Sequence, residues 1–140
     1  MTNRKLALIV EHQHPLTLAS AENIQRACQC MREQRIGAVM VSDDGITLKG
    51  IFTGRDAVRA MAECCDPVTT RIETLMTPDP TTIAPNATAI EALRLMSDGG
   101  FRHLPVVEAG RIVGIVSRGD FKGLELDHFE DETSLWERIA

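Results

Sequence analysis

The chain has 140 residues, 44% apolar and 25% charged, the balance of a soluble globular protein with one compact domain's worth of residues. At that size about 70% of the unfolded surface can be buried, so folding needs neither disulfides nor a structural metal. Net charge is −5 with no basic footprint, and aromatics are 4% with no Tyr, which disfavours duplex and single-stranded nucleic acid as partners.

In chain order, Arg4 and Lys5 precede the apolar run Leu6-Ala7-Leu8-Ile9-Val10, which stops at Glu11. It is too short for a signal-peptide core, and no stretch reaches the ~18 apolar residues of a membrane span. A cytoplasmic protein without a membrane partner is expected. His12 and His14 alternate as strand residues would, on one face, but spacing offers no third metal ligand. A short extended segment, Leu16-Thr17-Leu18, leads to a helix capped at Asn23, with Ile24, Cys28 and Met31 at helical spacing. A buried strand Ala38–Val41 follows, then a turn at Asp43-Asp44-Gly45, a second strand over 48–53 and a second helix. Residues 65–70, a helical turn over 71–76 and Thr77-Pro78-Asp79-Pro80 form the join. Its three prolines fit a stiff connection. The same succession then returns: Thr81-Thr82-Ile83, a helix capped at Thr88 with Ile90, Leu93 and Met96, a strand over 104–107, the turn Glu108-Ala109-Gly110, a strand over 112–117 and a helix near Arg118. The end is acidic, with 6 acidic against 2 basic residues over 121–140; Leu135, Trp136 and Ile139 fall on one side of a possible last helix over 130–139. Cys28, Cys30, Cys64 and Cys65 have neither zinc nor C-x-x-C spacing and read as free thiols.

That succession is an internal repeat. A shift of 65 places Pro15 on Pro80, Thr17 on Thr82, Ala27 on Ala92, Met31 on Met96, Val41 on Val106 and Gly45 on Gly110. One residue is extra within 46–49. Beyond it a shift of 64 places Gly50 on Gly114, Ile51 on Ile115, Thr53 on Ser117 and Asp56 on Asp120. The fold class is α/β: two β-α-β-β-α repeats, each marginal alone at about 60 residues, packed through their sheets with pseudo-two-fold symmetry. The expected boundaries are residues 1–66, 67–127 and an acidic tail, 128–140.

Each second strand ends in one device, Gly50-Ile51-Phe52-Thr53-Gly54-Arg55-Asp56 or Gly114-Ile115-Val116-Ser117-Arg118-Gly119-Asp120. A hydroxyl followed three residues later by an acid is a capping box with Asp in place of Glu, and an acid suits the first helical turn. The same atoms allow a second reading. A helix start with a hydroxyl and an adjacent Arg attracts phosphate, and a carboxylate there can accept both hydroxyls of a ribose. Gly50 and Gly114 clear a side chain where a flat base would approach the backbone. Arg102 and His103 open the second copy's strand, where the first has Gly37 and Ala38, and suggest an anion site. No Gly-x-Ser-x-Gly, P-loop or His-Glu-x-x-His motif points to an enzyme.

The repeat with its Gly-x-x-Thr/Ser-x-x-Asp ending, with Leu75-Met76-Thr77-Pro78 and Phe101-Arg102-His103-Leu104-Pro105-Val106-Val107, resembles a tandem CBS-domain pair, a Bateman module, over about residues 6–127. It is most similar to stand-alone bacterial proteins made only of such a pair. The resemblance implies a non-catalytic regulatory module, with no required cofactor, sensing adenosine-containing ligands (AMP, ADP, ATP, NAD or S-adenosylmethionine) in two clefts between the domains. Asp56 and Asp120 match the ribose-binding positions, with Thr53 and Ser117 beside them. Phosphate would reach the other repeat: Arg102, His103 and Arg118 for the Asp56 cleft, Arg55 for the Asp120 cleft. The Asp56 cleft should then prefer the more anionic ligand, more so at pH 6 than at pH 8. Thr77 matches a ligand-touching position; a shift of 65 gives His12 as its repeat equivalent, a departure from the pattern. The resemblance also implies a homodimer through helices and an unidentified regulated protein. The competing reading is a dimerisation or adaptor module whose acids only cap helices.

Overall fold

The computed structural model describes residues 3–121 together with Gly123 and Glu125; the tail helix expected over 130–139 lies outside the described residues. In chain order the elements are α1 (Leu6–Val10), β1 (Thr17–Leu18), α2 (Ile24–Gln34), β2 (Ala38–Val41), β3 (Gly50–Thr53), α3 (Gly54–Ala62), a 3-10 turn (Ile72–Thr74), β4 (Thr77–Pro78), α4 (Ala89–Gly99), β5 (His103–Glu108), β6 (Arg111–Ser117) and a second 3-10 turn (Arg118–Asp120). None of the described helices is long and apolar enough to cross a membrane.

The chain forms two compact units, and their division does not follow the repeat boundary at residues 66 and 67. The first-repeat unit holds residues 15–80 with 109–112; the second-repeat unit holds the described residues of 1–14, 81–108 and those from 113 onward. The reason lies in the two segments that lead into the repeats. Residues 72–78 lead into the second repeat, yet β4 hydrogen-bonds to β3 in the first-repeat unit, with Ile51 opposite Thr77 and Gly50 opposite Pro78. Residues 6–14 lead into the first repeat, yet Leu6 and Val10 are buried in the second-repeat core with Leu93, Leu104 and Val116. Each leader closes the other repeat's sheet.

In the first-repeat unit the sheet order is β1-β2-β3-β4. β1 runs parallel to β2, Leu18 opposite Val41, and β3 runs antiparallel, Ala38 opposite Thr53. All four β2 residues are buried, as a central strand requires. Helix α2 starts where its cap predicts: the Asn23 side chain accepts the Arg26 N–H at 2.8 Å. Ile24, Ala27 and Cys30 recur along one face and bury against Val39, Val41 and Phe52, while Cys28 and Met31 pack at the margin. Full burial of each large apolar side chain contributes about 1.5–3 kcal/mol. The helix ends at Arg35 in the left-handed region, φ 55°. At the β2–β3 turn Asp44 accepts the N–H groups of Ile46 and Thr47 at 2.8 and 2.7 Å, which hold its carboxyl far below the usual range. That turn delays the second strand from the expected residue 48 to Gly50.

In the second-repeat unit Thr88 and Glu91 form the capping box of α4, and the helix ends at Gly100, φ 70°. β5 and β6 make a two-stranded sheet. The counterpart of β1 shrinks to one parallel bridge, Ile83 opposite Val106, in the register of Leu18 opposite Val41. Helix α1 has no counterpart among the sequence expectations, because five apolar residues in a row carry no period. The strand alternation proposed for His12 and His14 is corrected: α1 is followed by a turn at Glu11-His12, and both rings are exposed outside any strand. All four cysteines are free thiols; Cys30 is buried and Cys64 exposed.

Candidate functional site

The two motif turns are built alike, each within its own unit. In the first-repeat unit β3 ends at Thr53, and the next N–H, of Gly54, donates to the Gly37 carbonyl at 3.1 Å. This sets the turn in register with the entry to β2. Asp56 Oδ2 accepts the Thr53 N–H at 2.9 Å and lies 3.4 Å from Thr53 Oγ1. The residue is only 9% exposed, so its carboxyl group relies on those donors for hydrogen bonding. Its Oδ1 takes no hydrogen bond among the described residues, and no buried side-chain polar atom is left unsatisfied. That oxygen is therefore not fully buried.

In the second-repeat unit β6 ends at Ser117, and the Arg118 N–H donates to the Arg102 carbonyl at 3.1 Å. Arg102 is the repeat equivalent of Gly37, so the registering bond recurs. Asp120 Oδ2 accepts the Ser117 N–H at 2.7 Å and the Ser117 hydroxyl at 3.3 Å. Asp120 is exposed. The capping-box arrangement is thus present in both turns, and in both it engages one carboxylate oxygen.

The other sequence-predicted residues fall around these turns. Arg55 is exposed in the first turn of α3, and Thr77 is exposed in β4, beside the strand that ends at Thr53. Arg102, exposed, precedes β5, and His103 is its half-buried first residue. Burial, then the Arg102 charge, lowers the His103 pKa below its ordinary value, and Asp120 opposes them. The second-repeat unit therefore gathers Arg102, His103, Ser117, Arg118 and Asp120 at one end of its sheet. The lowered pKa moves any ligand-linked protonation of His103 toward more acid pH. No group of three His, Cys, Asp or Glu among the described residues is placed to hold a metal ion.

Two expectations change. Gly50 and Gly114 do not leave room for a base, because the leader segments already occupy that space. A Cβ on Gly50 would lie 2.5 Å from Met76 Sδ and 2.9 Å from the Thr77 carbonyl oxygen. On Gly114 it would lie 2.7 Å from both Gln13 Oε1 and Val10 Cβ. The repeat partner of Thr77 is Gln13 rather than His12. Thr77 lies opposite Ile51, and on Ile115, the equivalent of Ile51, the Gln13 carboxamide takes both edge bonds. Its Oε1 accepts the Ile115 N–H and its Nε2 donates to the Ile115 carbonyl, each at 2.9 Å. A side-chain amide stands in for the β4 backbone. Gln13 falls on Thr77 at a shift of 64, whereas Pro15 falls on Pro80 at 65, so one residue is extra between Thr77 and Pro80 and the shift of 65 hides the match.

The model of the CBS domain matches the chain twice, over residues 9–63 and 72–126. Among curated relatives, the CBS domain-containing protein CBSCBSPB2 of Arabidopsis thaliana is 38% identical over 102 residues, 72% of this chain and 19% of the relative. The chain thus spans about a fifth of the length of that longer protein. Among solved structures, the CBS-domain containing protein ATU1752 from Agrobacterium tumefaciens superimposes with a TM-score of 0.77 at 32% identity, covering 84% of this chain and 95% of that one. The CBS domain pair of protein MJ0100, in complex with 5′-methylthioadenosine and S-adenosyl-L-methionine, gives 0.76 at 26% identity over 84% and 95% of the two chains. With two family matches that start and stop at equivalent points of the repeat, and both Thr/Ser-x-x-Asp turns in place, the chain belongs to the CBS-domain family as a tandem pair.

Proposed function

We propose that this CBS pair is a non-catalytic regulatory module that senses adenosine-containing ligands at its Thr53–Asp56 and Ser117–Asp120 turns. The observation that carries the reading is shared by both turns. Each carboxylate commits Oδ2 to the cap and keeps Oδ1 free of any hydrogen bond among the described residues. A ribose diol can use that oxygen without dismantling the turn. The ligands of the MJ0100 pair, both adenosine derivatives, support the class. Arg55, Arg102 and Arg118 are the cationic groups for any phosphate, His103 is a titratable ring beside them, and Thr77 is a neighbouring polar contact. AMP, ADP, ATP, NAD and S-adenosylmethionine are the ligands to compare. The exposed apolar side chains Val58 and Met61 on α3, 69% and 81% accessible, support a homodimer through helices. An unidentified protein would receive the signal.

The test is thermal unfolding with each adenosine compound. A ligand at about 100 times its Kd adds roughly 2.7 kcal/mol per site, several degrees at this size. Asp56→Asn and Asp120→Asn each keep a capping acceptor and should each lose the shift of one site; the double variant should lose nearly all of it. A shift of equal size in the double variant would leave the acids as helix caps and favour an adaptor module. Light scattering of the same samples tests the dimer, which a mass of one chain at high concentration would exclude.

A further inference from the structure

Beyond its capping box, the second motif turn is short among the described residues. It is three residues of 3-10 helix, closed by a long Phe121 N–H to Arg118 carbonyl bond of 3.4 Å. Phe121 anchors it to the core from one side. From the other side it is held by Arg4, 116 residues away, whose Nη2 donates to the Asp120 carbonyl at 3.1 Å. The same Nη2 donates to Glu125 Oε1 at 2.8 Å, Nε lies 3.3 Å from both Glu125 oxygens, and the Arg4 backbone N–H donates to Oε2 at 2.8 Å. Glu125 is 1% exposed, so this pair is fixed rather than a loose surface contact. Residues 3 and 4 are themselves fastened to α4. Asn3 Oδ1 accepts the Ile90 N–H at 3.0 Å, and the Arg4 carbonyl accepts the Ala89 N–H at 2.8 Å.

We propose that Arg4 is a positioning residue for the second site, and that residues 3–5 act as a strap coupled to ligand binding at Asp120. The proposal rests on the reading of Asp120 as a ribose acceptor. The guanidinium fixes the backbone of the residue whose Oδ1 must meet the ribose. Removing it lets the turn wander and weakens the ligand without removing any atom that touches it. By linkage, a ligand that prefers the held turn must tighten the strap by the same factor.

The experiment uses the full chain with S-adenosylmethionine and AMP as probes, in an Asp56→Asn background that isolates the second site. Arg4→Lys keeps a cation facing Glu125 but cannot supply the guanidinium's fan of donors to Glu125 and the Asp120 carbonyl together. It should melt within a few degrees of its parent and bind about tenfold more weakly. In the Asp120→Asn background, where only the Asp56 site remains, the same substitution should leave affinity unchanged. Trypsin cleavage after Arg4 and Lys5 should slow on adding ligand to the parent protein, and not in Asp120→Asn. Unchanged affinity in Arg4→Lys, or equal loss at both sites, would overturn the strap while leaving the ligand reading intact. No binding by the wild type to any adenosine probe would overturn both.

Discussion

The same four-residue device is carried by two different supports. Thr53–Asp56 opens a nine-residue α-helix and its acid is buried, whereas Ser117–Asp120 opens a three-residue 3-10 turn and its acid is exposed. The difference follows from what comes after the hydroxyl. Gly54-Arg55-Asp56-Ala57-Val58-Arg59 has its glycine at the first helical position with helix formers behind it, while Arg118-Gly119-Asp120 carries its glycine one place further in, where it costs about 1 kcal/mol of helix propensity relative to Ala. Each unit then fastens its turn with an arginine, from opposite ends. Arg59 reaches from α3 to the Leu75 carbonyl in the leader at 3.0 Å. Arg4 reaches from the leader to the Asp120 carbonyl. A motif conserved between repeats in letters is thus not conserved in mechanics, and the weaker turn depends on residues far away in sequence.

The leader segments give the sharpest way to break this comparison. Both motif strands carry a glycine under a leader, but the neighbours differ in stiffness. At Gly50 the nearest atom is the flexible Met76 thioether, which can move aside, but the Thr77 carbonyl oxygen at 2.9 Å belongs to the β4 backbone and must shift as well. At Gly114 the Cβ would strike Val10 Cβ, fixed to α1, and Gln13 Oε1, already committed to Ile115. Gly114→Ala should therefore cost about 3 kcal/mol and Gly50→Ala about 1 kcal/mol, within the range for overpacked cores. The first corresponds to roughly 10 °C in Tm for a domain of this size. Equal losses by denaturant titration would show that the Gln13 edge yields as readily as β4.

Much of this architecture was legible in the chain. The Asn23 and Thr88 caps, the strand over Ala38–Val41 and the one-residue insertion follow from local chemistry and the repeat. Three things were hidden. The five residues of α1 carry no helical period to read. The exchange of leaders depends on which unit each segment closes, which the order of letters does not reveal. Arg4 and Glu125 stand 121 residues apart and belong to no motif, so only the folded chain joins them. Gln13 was masked differently, because a carboxamide does a backbone's work there and strand patterning tracks side-chain faces.

The ends of the two first helices allow a smaller test in the opposite direction. Arg35 and Gly100 are repeat equivalents, and both sit in the left-handed region at φ 55° and 70°. A side chain there costs roughly 1–2 kcal/mol, partly offset by the extra freedom glycine has when unfolded. Arg35→Gly should stabilise the protein by about 0.5–1 kcal/mol, and Gly100→Ala should destabilise it by about 1 kcal/mol. A loss of stability in Arg35→Gly would mean that the arginine side chain makes a contact worth more than the strain.

The smallest expected effect separates the repeats by pH. His103 occupies the position of Ala38, so only the second repeat carries a titrating ring there. Burial and Arg102 lower its folded pKa, while the unfolded chain keeps a value near 6.5. As pH falls from 7 through that unfolded value, the unfolded state takes up the proton first, and the folded state loses stability until its own lowered pKa is passed. Stability from this group is therefore present above about pH 6.5 and declines on acidification. His103→Gln keeps a polar side chain without the titration, so its Tm should fall less than wild type between pH 7.5 and 5.5. A phosphate-bearing ligand near the ring would favour the protonated form and reverse the sign, making AMP bind relatively better than adenosine as pH drops below about 6.5. An AMP-to-adenosine preference that is flat across this range would remove His103 from the site while leaving the stability effect in place.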